Sequence, residues 1–289
     1  MNRTEILQLF DKARQGGYGI GSFSPRNTVL IDSVLGAAQA QRSPVMVQMS
    51  ANEKNWFSWD PETFAGAYFA AKKRFQAVSV LHLDHTKDVD TVFRAIDAGF
   101  ESVMFDGSRL PYEENLSLTR QVVAYAHPRG VCVEAELGAI GGADKLETGS
   151  DETLYTDPAQ TEDFARRSGC DMLAVSVGTA HGVYPVKNPK IDFERLAQIR
   201  RRTDVVLVLH GGSGLPEETI RRAIREGVGK INIATDLELV FQQVTGRGRM
   251  PNAETLQLPS EMLDEGVRQV QALVEDRIGR YLLSGGKAD

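Results

Sequence analysis

Eight short apolar runs constrain this chain most, because each gives way to polar residues and then to a stretch with helical spacing. The runs span residues 18–24, 44–50, 77–85, 101–106, 131–137, 172–177, 205–210 and 230–234. Helical patterns occupy 4–14 ahead of the first run, and 28–41, 61–75, 88–98, 112–126, 158–168, 193–201 and 216–226 between the later ones. From 237 to 283 the chain is mostly helical around a polar, Gly- and Pro-containing break at 246–259. Near-continuous apolar strands joined by helices predict parallel pairing, since each right-handed β-α-β unit returns the chain in the same direction. The count and length predict a single α/β domain over 1–289, a (β/α)₈ TIM barrel with extra C-terminal helices. A doubly wound open sheet is the alternative, and no glycine-rich dinucleotide turn follows the first run.

Composition removes several classes of function. The 289 residues are 42% hydrophobic and 25% charged, with a net charge of −6 and basic residues interleaved with acidic ones, so no nucleic-acid footprint appears. Met1 to Glu5 lacks the apolar core of a signal peptide, and no apolar run approaches the roughly 20 residues of a membrane helix. Cys132 and Cys170 sit inside strand patterns with no basic partner nearby in sequence, as reduced core thiols of a cytoplasmic protein do.

In such a barrel the C-terminal strand ends share one rim. In order they carry Ser24; Gln48 and Ser50; Asp84 and His85; Asp106-Gly107-Ser108; Glu134 and Glu136; Gly178 to Gly182; His210 to Gly214; and Asn232 to Asp236. Three of the five histidines, His85, His181 and His210, thus reach the rim from three strands. Imidazoles converging beside carboxylates are what a catalytic Zn²⁺ needs; the alternative is three unrelated structural histidines. Gly211-Gly212-Ser213-Gly214 and Asn232-Ile233-Ala234-Thr235 read as a phosphate cradle of backbone N–H and hydroxyl donors, or as tight turns before helices. The long loop at 138–157 reads as a lid or as disordered chain.

His82-Leu83-Asp84-His85, Val133 to Gly138, Gly178 to Gly182, His210 to Gly214 and Lys230 to Thr235 together resemble the class II, zinc-dependent ketose-bisphosphate aldolases, a family that includes fructose- and tagatose-bisphosphate aldolases. The resemblance runs from about Tyr18 to the C-terminus with motif order and spacing kept. It implies that His85, His181 and His210 bind zinc, and that Glu136 and Asp106 lie near the metal at a displaced position. It implies Asp84 as proton donor and acceptor at the aldehyde-derived oxygen. Gly182, Gly211, Gly212, Ser213, Asn232, Ile233, Ala234 and Thr235 would hold the phosphate of dihydroxyacetone phosphate. Ser50 would belong to the same substrate-binding set, with a monovalent cation, Na⁺ or K⁺, close by. The implied reaction is reversible aldol cleavage of a ketose 1-phosphate or 1,6-bisphosphate, by a homodimer or homotetramer. The chemistry is consistent: the carbanion left beside a ketone needs a Lewis acid, and one carboxylate must move a proton.

Two stretches depart from the family pattern. Where a lid Glu usually follows the paired glycines, Ala143-Asp144-Lys145 stands here, so Asp144 is assigned as the second base, with Glu147 as the alternative. After the first strand, where relatives show Asn and then His-Asn-Ala-Glu, this chain has Ser24-Pro25-Arg26-Asn27-Thr28-Val29, which marks Arg26 as a specificity residue. The substrate is then either the usual sugar bisphosphate or a non-standard phosphorylated sugar or sugar acid. A zinc hydrolase and a non-catalytic partner subunit are the readings from other classes. A Schiff-base aldolase is disfavoured because Lys230 begins its strand, which places it at the opposite face.

Overall fold

The computed structural model describes residues 1–50, 60–140, 155–245 and 258–288. Strands β1 (Ile20–Phe23), β2 (Val45–Ser50), β3 (Ser79–Thr86), β4 (Ser102–Phe105), β5 (Cys132–Leu137), β6 (Met172–Val175), β7 (Val206–Leu209) and β8 (Val228–Ile233) form a closed parallel barrel in sequence order. Closure comes from β1 on β8, with Ile20 opposite Lys230 and Phe23 opposite Ile233. Helix α1 (Arg3–Gly16) precedes the barrel. Helices α2 (Val29–Gln41), α3 (Pro61–Lys72), α4 (Val89–Asp97), α5 (Tyr112–Ala126), α6 (Pro158–Ser168), α7 (Phe193–Arg200) and α8 (Glu217–Arg225) lie between successive strands. Helices α9 (Thr235–Thr245) and α10 (Leu258–Asp276) follow, and a π-helical turn at Arg277–Leu282 closes the chain onto β1 through Gly19 N–H to Leu282 O, 2.9 Å. The TIM barrel with extra C-terminal helices expected from the sequence is the architecture found. Among the described residues no helix is long and apolar enough to cross a membrane.

Several helix starts are set by local chemistry. Asp60, Asp88, Asp157 and Asp192 accept backbone N–H groups at the starts of α3, α4, α6 and α7, and Pro61 and Pro158 take first-turn positions where no N–H is needed. The barrel strands alternate, apart from a break near the end of β3. Val45, Val47, Met49, Leu81, Leu83, Val133, Leu173, Leu207 and Ile231 face outward into one core with the helices. Met46, Val80, Met104, Cys132, Met172 and Val208 face inward over Ile6 and Phe10 of α1, which plugs the bottom of the barrel. Both cysteines are buried, and burial pushes each thiol well up, that of Cys170 to about 12.

Lys230 corrects the sequence reading. Strand β8 begins two residues earlier, at Val228, so Lys230 is its third residue and its side chain points inward with no solvent exposure. It does not lie at the opposite face. The turn at Gly227 and the side-chain-free Gly229 conceal the true strand start in the sequence.

The bottom of the barrel is tied by Asp171, 5% exposed, which accepts from Arg3 Nε at 2.8 Å, His127 Nε2 at 3.0 Å and Val133 N–H at 2.9 Å. Burial alone would raise this carboxyl, but the bonds from His127, Arg3 and Val133 outweigh it and hold it below its ordinary value. A group whose folded value is depressed contributes stability that is fully present above the unfolded value and lost as pH falls through the folded one. Asp171→Asn should therefore cost about 1–3 kcal/mol near pH 7. The deficit should shrink as pH falls below about 4, the unfolded Asp value. Urea titrations of both proteins at several pH values measure this; equal midpoints at pH 7 would show that the anchor contributes nothing.

Candidate active site

Above the apolar floor the inward positions turn polar. Gln48, His82, Glu134 and Lys230 are at most 1% exposed and form a middle layer. Lys230 Nζ lies 2.9 Å from Glu134 Oε2, an ionic contact that lacks hydrogen-bond geometry at that oxygen, and 3.2 Å from His82 Nε2. His82 Nδ1 lies 2.9 Å from Ser102 Oγ. The next inward positions, Ser50, Asp84, Glu136, His210 and Asn232, form the rim layer.

Strict alternation would send Asp84 and His85 to opposite faces. The β3–β4 ladder carries an irregularity between Leu83 and Thr86, where Asp84 and His85 on β3 face the single residue Met104 on β4. His85 takes φ 38°, left-handed backbone uncommon for a residue with a Cβ. A bulge of this kind re-aims one side chain. As a result two adjacent residues both line the same cavity.

The three rim histidines meet. His85 Nε2 lies 3.1 Å from His181 Nε2 and 2.6 Å from His210 Nδ1. His210 Nε2 lies 2.9 Å from Glu134 Oε1, and His85 Nδ1 3.3 Å from Asp106 Oδ2. With an acceptor-only carboxylate opposite Nε2, His210 turns the lone pair of Nδ1 toward the cluster. Three imidazole nitrogens sharing one point, two of them backed by carboxylates, are a donor set that fits Zn²⁺; nitrogens 2.0–2.1 Å from a tetrahedral ion are about 3.3 Å apart. A second group shares His85, with Asp106 and Glu136 Oε2 (3.7 Å from His85 Nδ1).

The electrostatics around the cluster are strongly perturbed. Burial alone would lower His85, but Asp84, Asp106 and Glu136 outweigh it and raise the ring to about 9. Burial and the neighbouring His85 push His181 down to about 4. Burial lifts the Glu136 carboxyl to about 8. Asp84 is 4% exposed, and burial would raise it; the surrounding imidazoles and Lys230 outweigh that and hold it below its ordinary value. Its oxygens are clamped separately, Oδ2 by Gln48 Nε2 and Oδ1 by Asn232 Nδ2, each at 3.0 Å. Asn232 Oδ1 is buried with no hydrogen-bond partner among the described residues.

Gln48, Asp84, His85, Asp106, Glu136, His181 and Asn232 line a cavity of about 940 Å³. Its other wall carries Gly182, Gly211, Ser213, Ala234 and Thr235, and α9 begins at Thr235. Ser213 Oγ accepts from Ala234 N–H at 3.1 Å and Asp236 N–H at 3.2 Å, coupling the β7 and β8 loops. Gly211 has φ 66°, and a Cβ there would come within 2.2 Å of Ala180 O. Two residues of the sequence-derived phosphate set stand behind this wall. The Gly212 N–H is taken by Asn232 O at 2.9 Å, and the Ile233 side chain packs in the outer core.

Arg26 also lines the cavity, at φ 63°, with Nη1 3.4 Å from Ser50 Oγ and Nε 3.8 Å from Glu238 Oε2. Asp144, Glu147 and most of the long loop lie outside the described residues. Gln48 and Glu134, which the sequence places at strand ends on the rim, stand one layer below it with Lys230; the signal for that layer is the two-residue alternation that also carries Asp84 and Asn232 inward.

Comparison with known proteins agrees with this geometry. A family model described as fructose-bisphosphate aldolase class-II matches residues 4–287. A fructose-bisphosphate aldolase from Geobacillus stearothermophilus is 35% identical over all of this chain and 99% of its own length. The crystal structure of the YdjI aldolase from Escherichia coli K12 superposes with a TM-score of 0.84 at 30% identity, covering 98% of each chain. A putative fructose-1,6-bisphosphate aldolase from Coccidioides immitis gives 0.84 at 31% identity, over all of this chain and 98% of the other.

Proposed function

Because this chain belongs to the class II fructose-bisphosphate aldolase family, we propose that it catalyses zinc-dependent, reversible cleavage of a ketose 1-phosphate or 1,6-bisphosphate to dihydroxyacetone phosphate and an aldehyde. The observation that carries the reading is the meeting of His85, His181 and His210 beside a clamped Asp84, with Asp84, His85 and His181 lining one cavity. Zn²⁺ held by the three histidines would supply a Lewis acid for the ketone oxygen and for the negative charge released when the carbon–carbon bond breaks. His85, Asp106 and Glu136 offer that ion a second, displaced position.

The chain's own groups account for the remaining steps. Asp84, held rigid by Gln48 and Asn232, takes the proton from the hydroxyl whose oxygen becomes the aldehyde, and returns it in the synthetic direction. Asn232 Oδ1 is an acceptor for a substrate hydroxyl. Gly182, Gly211, Ser213 and the start of α9 at Thr235 receive the phosphate, where backbone N–H groups and the helix dipole favour an anion. A monovalent cation, Na⁺ or K⁺, accompanies it. Asp144, with Glu147 as the alternative, supplies the proton exchanged at the dihydroxyacetone carbon. Lys230 does not line the cavity, which disfavours a Schiff-base route.

Three outcomes test this reading. Chelation should abolish turnover and Zn²⁺ should restore it, and His181→Ala should lose bound zinc and turnover together. A metal-free protein that stays fully active and is trapped with substrate by borohydride would overturn the metal chemistry. Asp84→Ala should keep zinc but lower kcat by about 10²–10⁴-fold, while proton exchange at the dihydroxyacetone phosphate carbon survives in part. Near-normal cleavage would remove Asp84 from the mechanism. Arg26, on the side of the cavity nearest Ser50, is assigned to the aldehyde half of the substrate. Arg26→Ala should raise KM for the best substrate in a panel of ketose 1-phosphates and 1,6-bisphosphates, and leave dihydroxyacetone phosphate affinity unchanged. Identical kinetics for variant and parent would return Arg26 to the role of a loop residue.

A further inference from the structure

Lys230 takes no part in the steps above, yet it is among the largest fully buried side chains of the protein. An ammonium has only donors, so His82 Nε2, 3.2 Å away, accepts from it, and the His82 Nδ1–H donates to Ser102 Oγ. On the other side its charge sits 2.9 Å from Glu134 Oε2, while Glu134 Oε1 faces His210 Nε2 at 2.9 Å. His210 in turn directs Nδ1 at His85 Nε2. One chain of contacts therefore runs from β8 through β5 to β7 and ends at the imidazole cluster. His82, Asp84 and Glu134 are themselves grouped closely enough to hold a cation, and the ammonium already lies against two of them. The cation of that inner group is part of the chain. Stability alone does not account for it, because a buried ion pair is often no better than well-packed apolar residues.

We propose that Lys230 is a positioning residue for the metal centre: by holding Glu134 Oε2 it aims Oε1 at the His210 Nε2–H, and so presents the Nδ1 lone pair to the ion. This rests on the reading of His85, His181 and His210 as zinc ligands. Groups that orient a ligand in this way typically change metal affinity by about 10–100-fold when removed.

The test is zinc affinity, measured by competition with a chromophoric chelator, with circular dichroism and thermal unfolding of the metal-free proteins alongside. Lys230→Met keeps the side-chain length and removes the charge, and should weaken zinc binding by about 10–100-fold. Lys230→Met combined with Glu134→Gln buries no unpaired charge, folds where the single variant fails, and should still bind roughly 10-fold more weakly than the parent. Asp171→Asn, at the far end of the barrel, controls for lost stability and should leave zinc affinity unchanged. A folded variant of either kind whose zinc affinity stays within about twofold of the parent, however low its melting temperature, overturns the proposal. A parent protein that takes up no zinc overturns the ligand assignment itself, and this inference with it.

Discussion

A closed parallel barrel has one interior, and every second residue of eight strands must be accommodated there. The available solutions differ with height. At the bottom Met46, Val80, Met104, Met172 and Val208 pack over α1, and the interior is an ordinary apolar core. At the top it opens to water, and polar groups need no internal partner. Between the two, Gln48, His82, Glu134 and Lys230 have no solvent to turn to; Lys230 pairs with His82 and Glu134, and Gln48 bonds to Ser24 and Asp84. The rim groups stand on this layer: Asp84 on Gln48, His210 on Glu134.

The same alternation limits how many functional groups one strand can offer. A regular strand turns every second residue to the barrel interior, and β5 and β8 do so with Glu134 and Glu136, and with Lys230 and Asn232. Strand β3 delivers two neighbours because its extra residue and the left-handed backbone of His85 break the period. A left-handed non-glycine residue costs roughly 1–3 kcal/mol, and it persists where the surroundings over-determine it. Here those surroundings are the His85 N–H on Met104 Sδ at 3.3 Å and the ring packed edge-on against His181 and His210. The strain places the Asp84 carboxylate directly beside a candidate metal ligand.

The fold was legible because parallel strands buried on both sides are apolar almost throughout, so eight runs and their ends could be counted. That uniformity also hid the inside from the outside. In Val228 to Ile233 nothing but the alternation distinguishes the inward Lys230 and Asn232 from the outward Ile231 and Ile233, and a start misplaced by two residues moved Lys230 to the wrong end of the barrel. The histidines were legible because imidazoles at three strand ends share one rim. The Glu134–His210 contact was not, since it depends on which carboxylate oxygen faces which ring nitrogen. Gly212 and Ile233 show the limit of a contiguous motif, because a loop presents only some of its residues to the cavity and uses the others to hold its shape.

The division between strands and loops explains why the reaction can be read more readily than its substrate. His210, Asp84, Asn232 and Glu136 stand at strand ends, where the ladder restricts each backbone and the middle layer supports several side chains from below. Such positions suit a site whose groups must hold their geometry to within about 0.5 Å. Arg26 stands on the β1–α2 connection, beyond the residues that pair β1 with β2 and β8. A connection of this kind is free to change what it presents to the far half of a substrate, while the strand ends go on breaking the same bond. In this chain that connection presents a guanidinium to the cavity, a group whose planar fork suits bidentate recognition of an anion.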